Sequence, residues 1–267
     1  MKELKILCVI ISLFLLFSGI ASLPAHSSRI VKDFNNNWKF YLGDAENAKD
    51  PSFDDSGWRT LNLPHDWSIE GKFSNDHPAT PGGGALPGGI GWYRKKFTIP
   101  ESNKNMMVFI DFDGIYQNSE VWINGNTLGI RPNGYISFRL DLTPYINFSG
   151  KENVIAVKVD NSQQPNSRWY SGSGIYRNVR LIIANKVFVA HCGTFVTTPE
   201  VSRYTSRVVI NTKIRNASMH DRQATLNTTI YNANGEKVAF SSSDNLITKL
   251  SALEFDQEIT VMRPDSW

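Results

Sequence analysis

The amino-acid sequence predicts an all-β fold class, a jelly-roll β-sandwich followed by an immunoglobulin-like β-sandwich. Apolar and polar residues alternate at period two in many segments after residue 28, as in half-buried strands. No stretch after that residue holds a helical period over three turns. The 19 glycines and 12 prolines supply the frequent turns that a chain of short strands needs.

The first residues predict a secretory signal rather than part of the fold. Lys2 and Lys5 precede the apolar run Ile6–Phe17, and small residues follow it. The run is shorter than the roughly 20 residues of a membrane-spanning helix. We therefore expect residues 1–25 to be removed, and the protein to be periplasmic or extracellular with no membrane attachment afterwards. An uncleaved anchor is the alternative.

The first sandwich is predicted over residues 29–184, which is long enough for the eight or so strands of a jelly roll. Its strands and turns are read from apolar runs, from alternation and from turn residues. They are a nearly continuous apolar strand at Met107–Phe112, alternating strands in Asn153–Asp160 and Tyr176–Ala184, a type I′ hairpin turn at Asn124-Gly125, and one short helical turn within Asp141–Ile146.

A glycine-rich loop is predicted over Pro78–Trp92. It holds six glycines, but no Gly-Lys-Ser/Thr ending and no following helix signal, so it is not a phosphate cradle. Two interpretations stay open: a surface loop whose bare backbone approaches a ligand or another domain, or a flexible connection between strands.

The second sandwich is predicted over residues 187–267, with the boundary near Ala184–Lys186. Alternation returns in Val208–Ile214, in Leu226–Ile230 and in Phe255–Val261, with a turn at Asn232–Gly235. Strands at intervals of about 8–12 residues are typical of a small immunoglobulin-like domain.

Composition excludes several classes of function. The chain is 41% hydrophobic, so we expect a packed core, and its net charge of +3 comes from basic residues scattered among nearly as many acids. Nucleic-acid binding is not expected, because it needs a concentrated basic face. Five histidines without a cluster and two cysteines predict no metal site and no cofactor. Cys192, the one thiol left after signal removal, is predicted to be a small buried apolar residue.

Motifs rich in aromatic and glycine residues follow one another through the first sandwich. They are Leu63-Pro64-His65-Asp66-Trp67, Gly91-Trp92-Tyr93-Arg94-Lys95-Lys96-Phe97, Val121-Trp122-Ile123-Asn124-Gly125, Asn133-Gly134-Tyr135, Val159-Asp160-Asn161 and Arg168-Trp169-Tyr170-Ser171-Gly172-Ser173-Gly174-Ile175-Tyr176-Arg177. In this order and spacing they resemble the amino-terminal half of glycoside hydrolase family 2 enzymes, most of all the β-galactosidases. The resemblance covers essentially all of the chain after the signal.

The resemblance implies a galactose-binding-like jelly roll, an immunoglobulin-like domain and then a (β/α)8 barrel that holds the catalytic carboxylates. The segment Met262–Trp267 resembles the end of the immunoglobulin-like domain, and a barrel of about 250 residues would have to follow it. The family's acid/base glutamate sits in an Asn-Glu pair, which this sequence does not contain. We therefore expect no catalytic residue here, and expect two partners: the catalytic barrel and a β-galactoside or related glycan.

The resemblance also implies a sugar-contacting region. Asp160 matches, by its spacing to Arg177, the position where the family's β-galactosidases place an aspartate against galactosyl hydroxyls. The alternative is a strand-end carboxylate that caps a turn through Asn161, which the prediction also includes among the sugar contacts. Arg168 would orient Asp160 or contact substrate. Trp169 and Tyr170 would form a stacking platform, or an aromatic plug between sandwich and barrel.

His65, Asp66 and Trp67 place two titratable groups side by side. No serine or metal ligand is spaced to complete a site with them. We expect the polar pair to hold a loop by hydrogen bonds, and Trp67 to fill the core.

Three functions follow from these observations. The chain is the non-catalytic portion of a β-galactosidase-like hydrolase, a stand-alone carbohydrate-binding module, or a folded remnant without a ligand. We favour the first as the family identity and the third as the behaviour of this polypeptide in isolation. The first predicts an exposed apolar and aromatic patch where the barrel docks.

Overall fold

The computed structural model describes residues 29–264, in which it contains fifteen strands, four short 3-10 turns and no α-helix. The first ten strands are β1 (Arg29–Asp33), β2 (Trp38–Leu42), β3 (Arg59–Leu61), β4 (Gly89–Thr98), β5 (Met107–Phe112), β6 (Ser119–Ile123), β7 (Asn126–Arg131), β8 (Phe138–Asp141), β9 (Glu152–Asn161) and β10 (Val179–Ala184). The other five are β11 (Val187–Val201), β12 (Thr205–Asn216), β13 (Arg222–Tyr231), β14 (Lys237–Ile247) and β15 (Ser251–Met262). The predicted signal, residues 1–25, lies outside the described range.

The first ten strands form a β-sandwich of two antiparallel sheets. One sheet has the order β1-β10-β5-β8 and the other the order β3-β2-β4-β9-β6-β7. Alternate residues of β5 and β9 point inward and join one core cluster, which includes Val108 and Ile110 from β5 and Ile155 and Val157 from β9. The alternation predicted along β9 is therefore confirmed, because one face of its sheet is buried against the other sheet. The nearly continuous apolar strand predicted at Met107–Phe112 is confirmed as well, since Val108–Phe112 are all buried.

The opposite face of the six-stranded sheet is also covered. Residues 45–58 lie across it and pack on Trp92, Trp122 and Ala156. The fully buried Arg94 of β4 holds this segment, since its Nε donates to the Asp55 carboxylate at 2.8 Å and its Nη1 donates to backbone carbonyls of the same segment. Arg94 belongs to the motif Gly91–Phe97, so one residue of this motif serves to hold the segment 45–58 against the sheet.

The turns follow the local chemistry. Asn124 and Gly125 have φ angles of 49° and 79°, so the predicted type I′ turn between β6 and β7 is confirmed. The predicted helical turn is a 3-10 turn at Thr143–Tyr145.

The prediction of a loop through Trp92 is wrong at its far end. The loop ends at Gly88, and Gly89–Trp92 is already β4, paired with Asn161–Lys158 of β9. The glycines are no obstacle to this pairing. At Gly91 the missing side chain leaves space for the ring of Trp67, which lies 2.7 Å from where a Cβ would be.

The last five strands form a second, smaller β-sandwich. One sheet has the order β11-β12-β15 and the other is the pair β13-β14. Between them lie two apolar clusters, one around Ile210 and Ile259 and one around Ile214 and Phe255. The all-β sandwich class is confirmed, whereas the domain boundary near 184–186 stays a prediction.

The prediction that Cys192 is a small buried apolar residue is wrong. Its side chain is exposed, and its φ of 51° lies in the left-handed region. The register of β11 against β12 shifts between Val189 and Thr194, so Cys192 sits in an irregular stretch that turns it out of the sheet.

Candidate functional site

Loops from distant parts of the first sandwich meet at one end of its sheets. The His65 amide donates to the Ile175 carbonyl at 2.9 Å, and Tyr116 and Gly174 exchange two backbone hydrogen bonds of 2.9 Å. Gly174 has a φ of 123°, and a Cβ there would overlap the hydroxyl of Tyr93. A glycine is therefore required where the three segments cross.

The Asp66 carboxylate joins two of these loops. Its Oδ1 accepts hydrogen bonds from the amides of Ser68 at 2.9 Å and Ser173 at 2.8 Å. Its Oδ2 accepts a short hydrogen bond from the Tyr170 hydroxyl. Asp66 and Tyr170 lie 104 residues apart in the chain, so this carboxylate positions a remote aromatic ring.

Tyr170 is held as a hydrogen-bond donor. Burial raises the pKa of its phenol well above the usual value, and the hydrogen bond to the charged Asp66 raises it further. The ring consequently stays neutral at physiological pH.

An aromatic cleft opens beside this pair. Its volume is about 250 Å³, and its walls are Asp66, Tyr116, Tyr135, Tyr170, Ser171, Gly172 and Tyr176. The rings of Tyr116 and Tyr135 meet edge to face at 5.3 Å. Small-molecule sites usually enclose roughly 300–1,000 Å³, so the cleft has the size of a partial site. Tyrosine faces and hydroxyls suit a pyranose, because they offer C–H stacking and hydrogen bonds together.

His65, next to Asp66 in the chain, is buried and belongs to a polar network that reaches the surface through the exposed side chains of Arg59 and Glu70. Its Nδ1 lies 2.7 Å from the Tyr93 hydroxyl, and its Nε2 lies 2.8 Å from Nη2 of Arg59 and 3.3 Å from a carboxylate oxygen of Glu70. Burial lowers the pKa of His65, against the pull of Glu70. The neutral ring then donates from Nδ1 to Tyr93 and accepts from Arg59. Trp67 is buried, so the structural interpretation of His65-Asp66-Trp67 is confirmed.

Asp160 lies at the end of β9, outside the walls of the cleft. Its Oδ1 accepts from the amide of Ser162 at 2.9 Å and from the hydroxyl of the same serine at 2.6 Å. This is the turn-capping geometry of the alternative interpretation. Oδ2 has no hydrogen-bond partner within residues 29–264, so one oxygen is left for a ligand.

Asn161 is a buried polar hub. Its Nδ2 donates to the Ser173 hydroxyl at 2.7 Å, and its Oδ1 accepts from the side-chain amides of Gln164 and Asn166 at 2.7 Å each. These bonds hold the start of the connection between β9 and β10, at Gln164 and Asn166, to its later part at Ser173. Because both ends of the amide are occupied, the structure gives Asn161 a positioning role and does not bring it to the cleft.

Arg168 and Trp169 lie at the exposed tip of the loop after β9. Arg168 forms no hydrogen bond or ion pair within the described part of the chain, so its predicted role of orienting Asp160 is not what the structure shows. Trp169 is 71% exposed, next to Tyr170 of the cleft wall. Both interpretations of Trp169, platform and plug, stay predictions.

Comparisons with known proteins decide the family. Residues 31–185 match the glycosyl hydrolases family 2 sugar binding domain. The chain is 47% identical over 241 residues to Beta-galactosidase BoGH2A of Bacteroides ovatus, which covers 90% of this chain and 28% of that relative. The chain belongs to glycoside hydrolase family 2.

Other family 2 relatives agree with this assignment. A Formosa agariphila beta-glucuronidase is 30% identical over 262 residues, covering 90% of this chain and 27% of that relative. The crystal structure of a family 2 member from Bacteroides cellulosilyticus superposes with a TM-score of 0.82 at 38% identity, covering 89% of this chain and 31% of that one. The chain therefore spans less than a third of the length of these family 2 relatives.

Several cleft residues were missed by the sequence analysis. Tyr116 and Tyr176 were not predicted to meet a ligand, Tyr135 was read as part of a motif, and Asp66 as a loop residue. A usable signal was present at Asn133-Gly134-Tyr135, since these residues predict a surface loop and binding residues are disproportionately found on loops. The approach of Asp66 to Tyr170 carries no such local signal.

Proposed function

We propose that this chain is the amino-terminal, non-catalytic portion of a secreted β-galactosidase-like family 2 glycosidase, in which the aromatic cleft supplies one wall of the sugar site. The observation that carries the proposal is the cleft itself: an open, sugar-compatible surface of less than full-site volume, built where the loops of the sandwich converge. The 47% identity to a β-galactosidase supports the choice of class.

Catalysis is assigned to another part of the enzyme. Retaining glycoside hydrolysis needs two carboxyl groups about 5–5.5 Å apart, one as acid/base and one as nucleophile. The cleft is lined by a single carboxylate, Asp66, and both of its oxygens accept hydrogen bonds from the protein. The reacting carboxylates must then come from a barrel placed against the cleft.

The charge of the cleft favours a neutral sugar. Its walls include Asp66 and no lysine or arginine. A glucuronide would bring its carboxylate next to this aspartate without a compensating cation, and like charges repel in a partly desolvated site. A galactoside carries no such charge, so we favour galactosides over glucuronides.

The loops around the cleft offer a docking surface for the barrel. Large apolar side chains on these loops are exposed: Ile69, Phe73, Tyr135, Ile136 and Trp169. Exposed apolar groups collected at one end of a domain are typical of an interface. In this proposal Trp169 serves the barrel contact, the sugar or both.

A hybrid enzyme tests the proposal. The remaining sequence of the Bacteroides ovatus relative is placed after Trp267, and hydrolysis of an activated β-galactoside is measured. The cleft itself is tested by Tyr135→Ala, which removes an exposed ring from its wall and should reduce kcat/KM at least about tenfold, corresponding to about 1.4 kcal/mol of transition-state binding. Asp160 lies outside the cleft, and Asp160→Ala examines the separate sequence-based prediction of a sugar contact there, for which a loss of the same size is expected. Asp141→Ala is the matched control, because Asp141 also ends a strand and caps a turn, through the Thr143 amide at 2.9 Å.

The outcomes separate a sugar contact from a cap. Equal kcat/KM in both variants, together with a lower melting temperature for Asp160→Ala, would make Asp160 a structural cap. The same comparison with Trp169→Ala and Arg168→Ala examines the other predicted contacts. A hybrid that prefers a β-glucuronide would contradict the charge argument.

A stand-alone carbohydrate-binding module is the second candidate, favoured by the exposure of Trp169. One wall of a site should bind galactose with a Kd of about 1 mM or weaker, and the 267-residue chain should show no turnover of the activated substrate. Binding much tighter than this by the chain alone would favour the module. Turnover that copurifies with the chain would refute the non-catalytic role.

The proposed location is the periplasm or the cell exterior. Its support is the signal-like pattern of residues 1–25. Mass spectrometry of the protein recovered from a secreting host would find the new amino terminus near residue 25, and a retained Met1 in the membrane fraction would favour the anchor.

A further inference from the structure

A second pocket, the junction pocket, lies where the two sandwiches meet. Its volume is about 650 Å³, and its walls are Asn105, Asn185, Lys186, Val187, Ser218, Met219, His220 and Arg222. Asn105 comes just before β5 of the first sandwich, and the other walls come from the β10–β11 connection and from the second sandwich. Tyr116 of the aromatic cleft follows the other end of β5, a strand of six residues, so roughly 20 Å separate the two sites.

Short backbone and side-chain contacts hold the walls of the junction pocket in place. The Ala217 amide donates to the Lys186 carbonyl at 2.7 Å, which ties the β10–β11 connection to the segment between β12 and β13. The buried Asn216 organises that segment, since its Nδ2 donates to the His220 carbonyl at 2.9 Å and its Oδ1 accepts from the Ser218 amide at 2.9 Å. The pocket is therefore preformed, as is usual for small-molecule sites.

Among the described residues, the walls of the junction pocket present three basic side chains and no carboxylate. Lys186, His220 and Arg222 are exposed, and their side chains form no hydrogen bond or ion pair within residues 29–264. Asp221, the acid next to two of them in the chain, is not a wall, and its Oδ1 accepts from the Lys249 amide at 2.8 Å. The pocket thus carries a positive charge that the surrounding protein does not neutralise.

The walls suit a ligand that carries an oxyanion. The Arg222 guanidinium offers a planar fork of N–H donors for two oxygens of one anion, and Lys186 adds a second positive charge. The side-chain amides of Asn105 and Asn185 both donate and accept hydrogen bonds, as sugar hydroxyls require. Met219 is 65% exposed and offers an apolar surface to the C–H groups of a ring.

The volume of the junction pocket favours a sugar-sized ligand over a bare ion. Small-molecule sites enclose roughly 300–1,000 Å³, and this pocket lies within that range. One water molecule takes about 30 Å³ of the liquid, so an inorganic sulfate would leave most of the pocket unfilled.

We propose that the junction pocket binds an anionic sugar, one that carries a sulfate ester or a carboxylate, at a site separate from the aromatic cleft. Arg222 and Lys186 hold the oxyanion, and the two asparagine amides bind ring hydroxyls. The choice of a sugar as the carrier of the charge rests on the proposed function, whereas the anion rests on the charges of the pocket alone. The cleft then takes the neutral sugar, and the junction pocket retains an acidic residue of the glycan.

Isothermal titration calorimetry of the 267-residue chain tests the proposal with four probes: galactose 6-sulfate, galacturonic acid, galactose and sodium sulfate. At least one of the two charged sugars should bind at least about tenfold more tightly than galactose and than sulfate alone, because hydrogen bonds to a charged group are the stronger ones. The charged sugar that binds more tightly identifies the oxyanion. Galactose or sulfate binding as tightly as both charged sugars would overturn the proposal.

Substitutions locate the binding. Arg222→Gln and Lys186→Gln should each weaken binding of the charged sugar about tenfold, and both variants should fold because the side chains are exposed. Arg215→Gln is the matched control, because it removes the same charge from an exposed arginine of the same sandwich that is not a wall. Equal losses in Arg222→Gln and Arg215→Gln would reduce the effect to net charge and overturn the proposal.

A further variant separates the two sites. Tyr135→Ala alters the aromatic cleft and should leave binding of the charged sugar unchanged. Loss of that binding in Tyr135→Ala would place the ligand in the cleft and overturn the proposal. Failure of the hybrid enzyme to hydrolyse a β-galactoside would refute the proposed function instead, since the titration involves no catalysis.

Discussion

Replacing Asp66 by alanine should uncouple the loops that build the aromatic cleft. Asp66 accepts three hydrogen bonds, from the amides of Ser68 and Ser173 and from the hydroxyl of Tyr170. The bond to Ser68 is local, whereas the other two join segments more than a hundred residues apart. The substitution removes all three bonds and leaves two half-buried amides without this acceptor.

The expected loss of stability follows from these contacts. A hydrogen bond to a charged group contributes about 1.5–3 kcal/mol, and water replaces part of that value at a half-buried carboxylate. We expect the free energy of unfolding to fall by about 3 kcal/mol, a decrease in Tm of about 6–12 °C for a domain of this size. The raised pKa of Tyr170 should also move down toward its usual value, because one of the groups that raise it is gone.

Thermal unfolding followed by circular dichroism measures the effect, and Asp160→Ala is the matched control. Asp160 caps a turn through the serine two residues on, as Asp66 does, but makes no bond to a distant loop. Its removal should cost about 1 kcal/mol or less. Equal losses in the two variants would show that turn capping, rather than cross-linking of loops, accounts for the role of Asp66.

Three further predictions concern other parts of the first sandwich. Arg94→Met should lower the free energy of unfolding, measured with denaturant, by about 3–5 kcal/mol, because it leaves Asp55 as an unpaired buried charge. Adding Asp55→Asn should restore part of this loss, and no recovery in the double variant would show that the unpaired charge is not its cause. Burial lowers the pKa of His65, so the unfolded chain takes up the proton at a higher pH than the folded chain does. The contribution of His65 to the free energy of unfolding should therefore be full above about pH 6.5 and decline as the pH falls below that value. A His65→Gln variant should lack this decline, and an identical pH profile in the variant would assign the decline to another group. Trp169→Ala should change Tm by no more than about 2 °C, since the ring is exposed, while reducing association of the chain in light scattering; a monomer at high concentration with Trp169 in place would count against an apolar docking surface.

Local features of the structure could be predicted from the sequence. The alternation in β9 and β12, the apolar run of β5 and the Asn124-Gly125 turn were read correctly, because each depends on neighbouring residues. A strand with one buried face requires period two, and a type I′ turn requires two positive φ angles. The structural role expected for His65-Asp66-Trp67 followed from the lack of a serine or metal ligand spaced to complete a site with them, whereas the distant partners of His65 and Asp66 were not predicted.

The candidate site depended on contacts that no local pattern encodes. The approach of Asp66 to Tyr170 and the burial of Asn161 among amides follow from the way strands pair across the sheets. The irregular register that exposes Cys192 follows from pairing as well. The sequence by itself determined the strands with clear alternation or an apolar run, their inward faces and the family resemblance, because periodicity and motif order are properties of the chain. Only the tertiary structure decided which loops meet at the cleft, because this depends on which distant strands lie side by side.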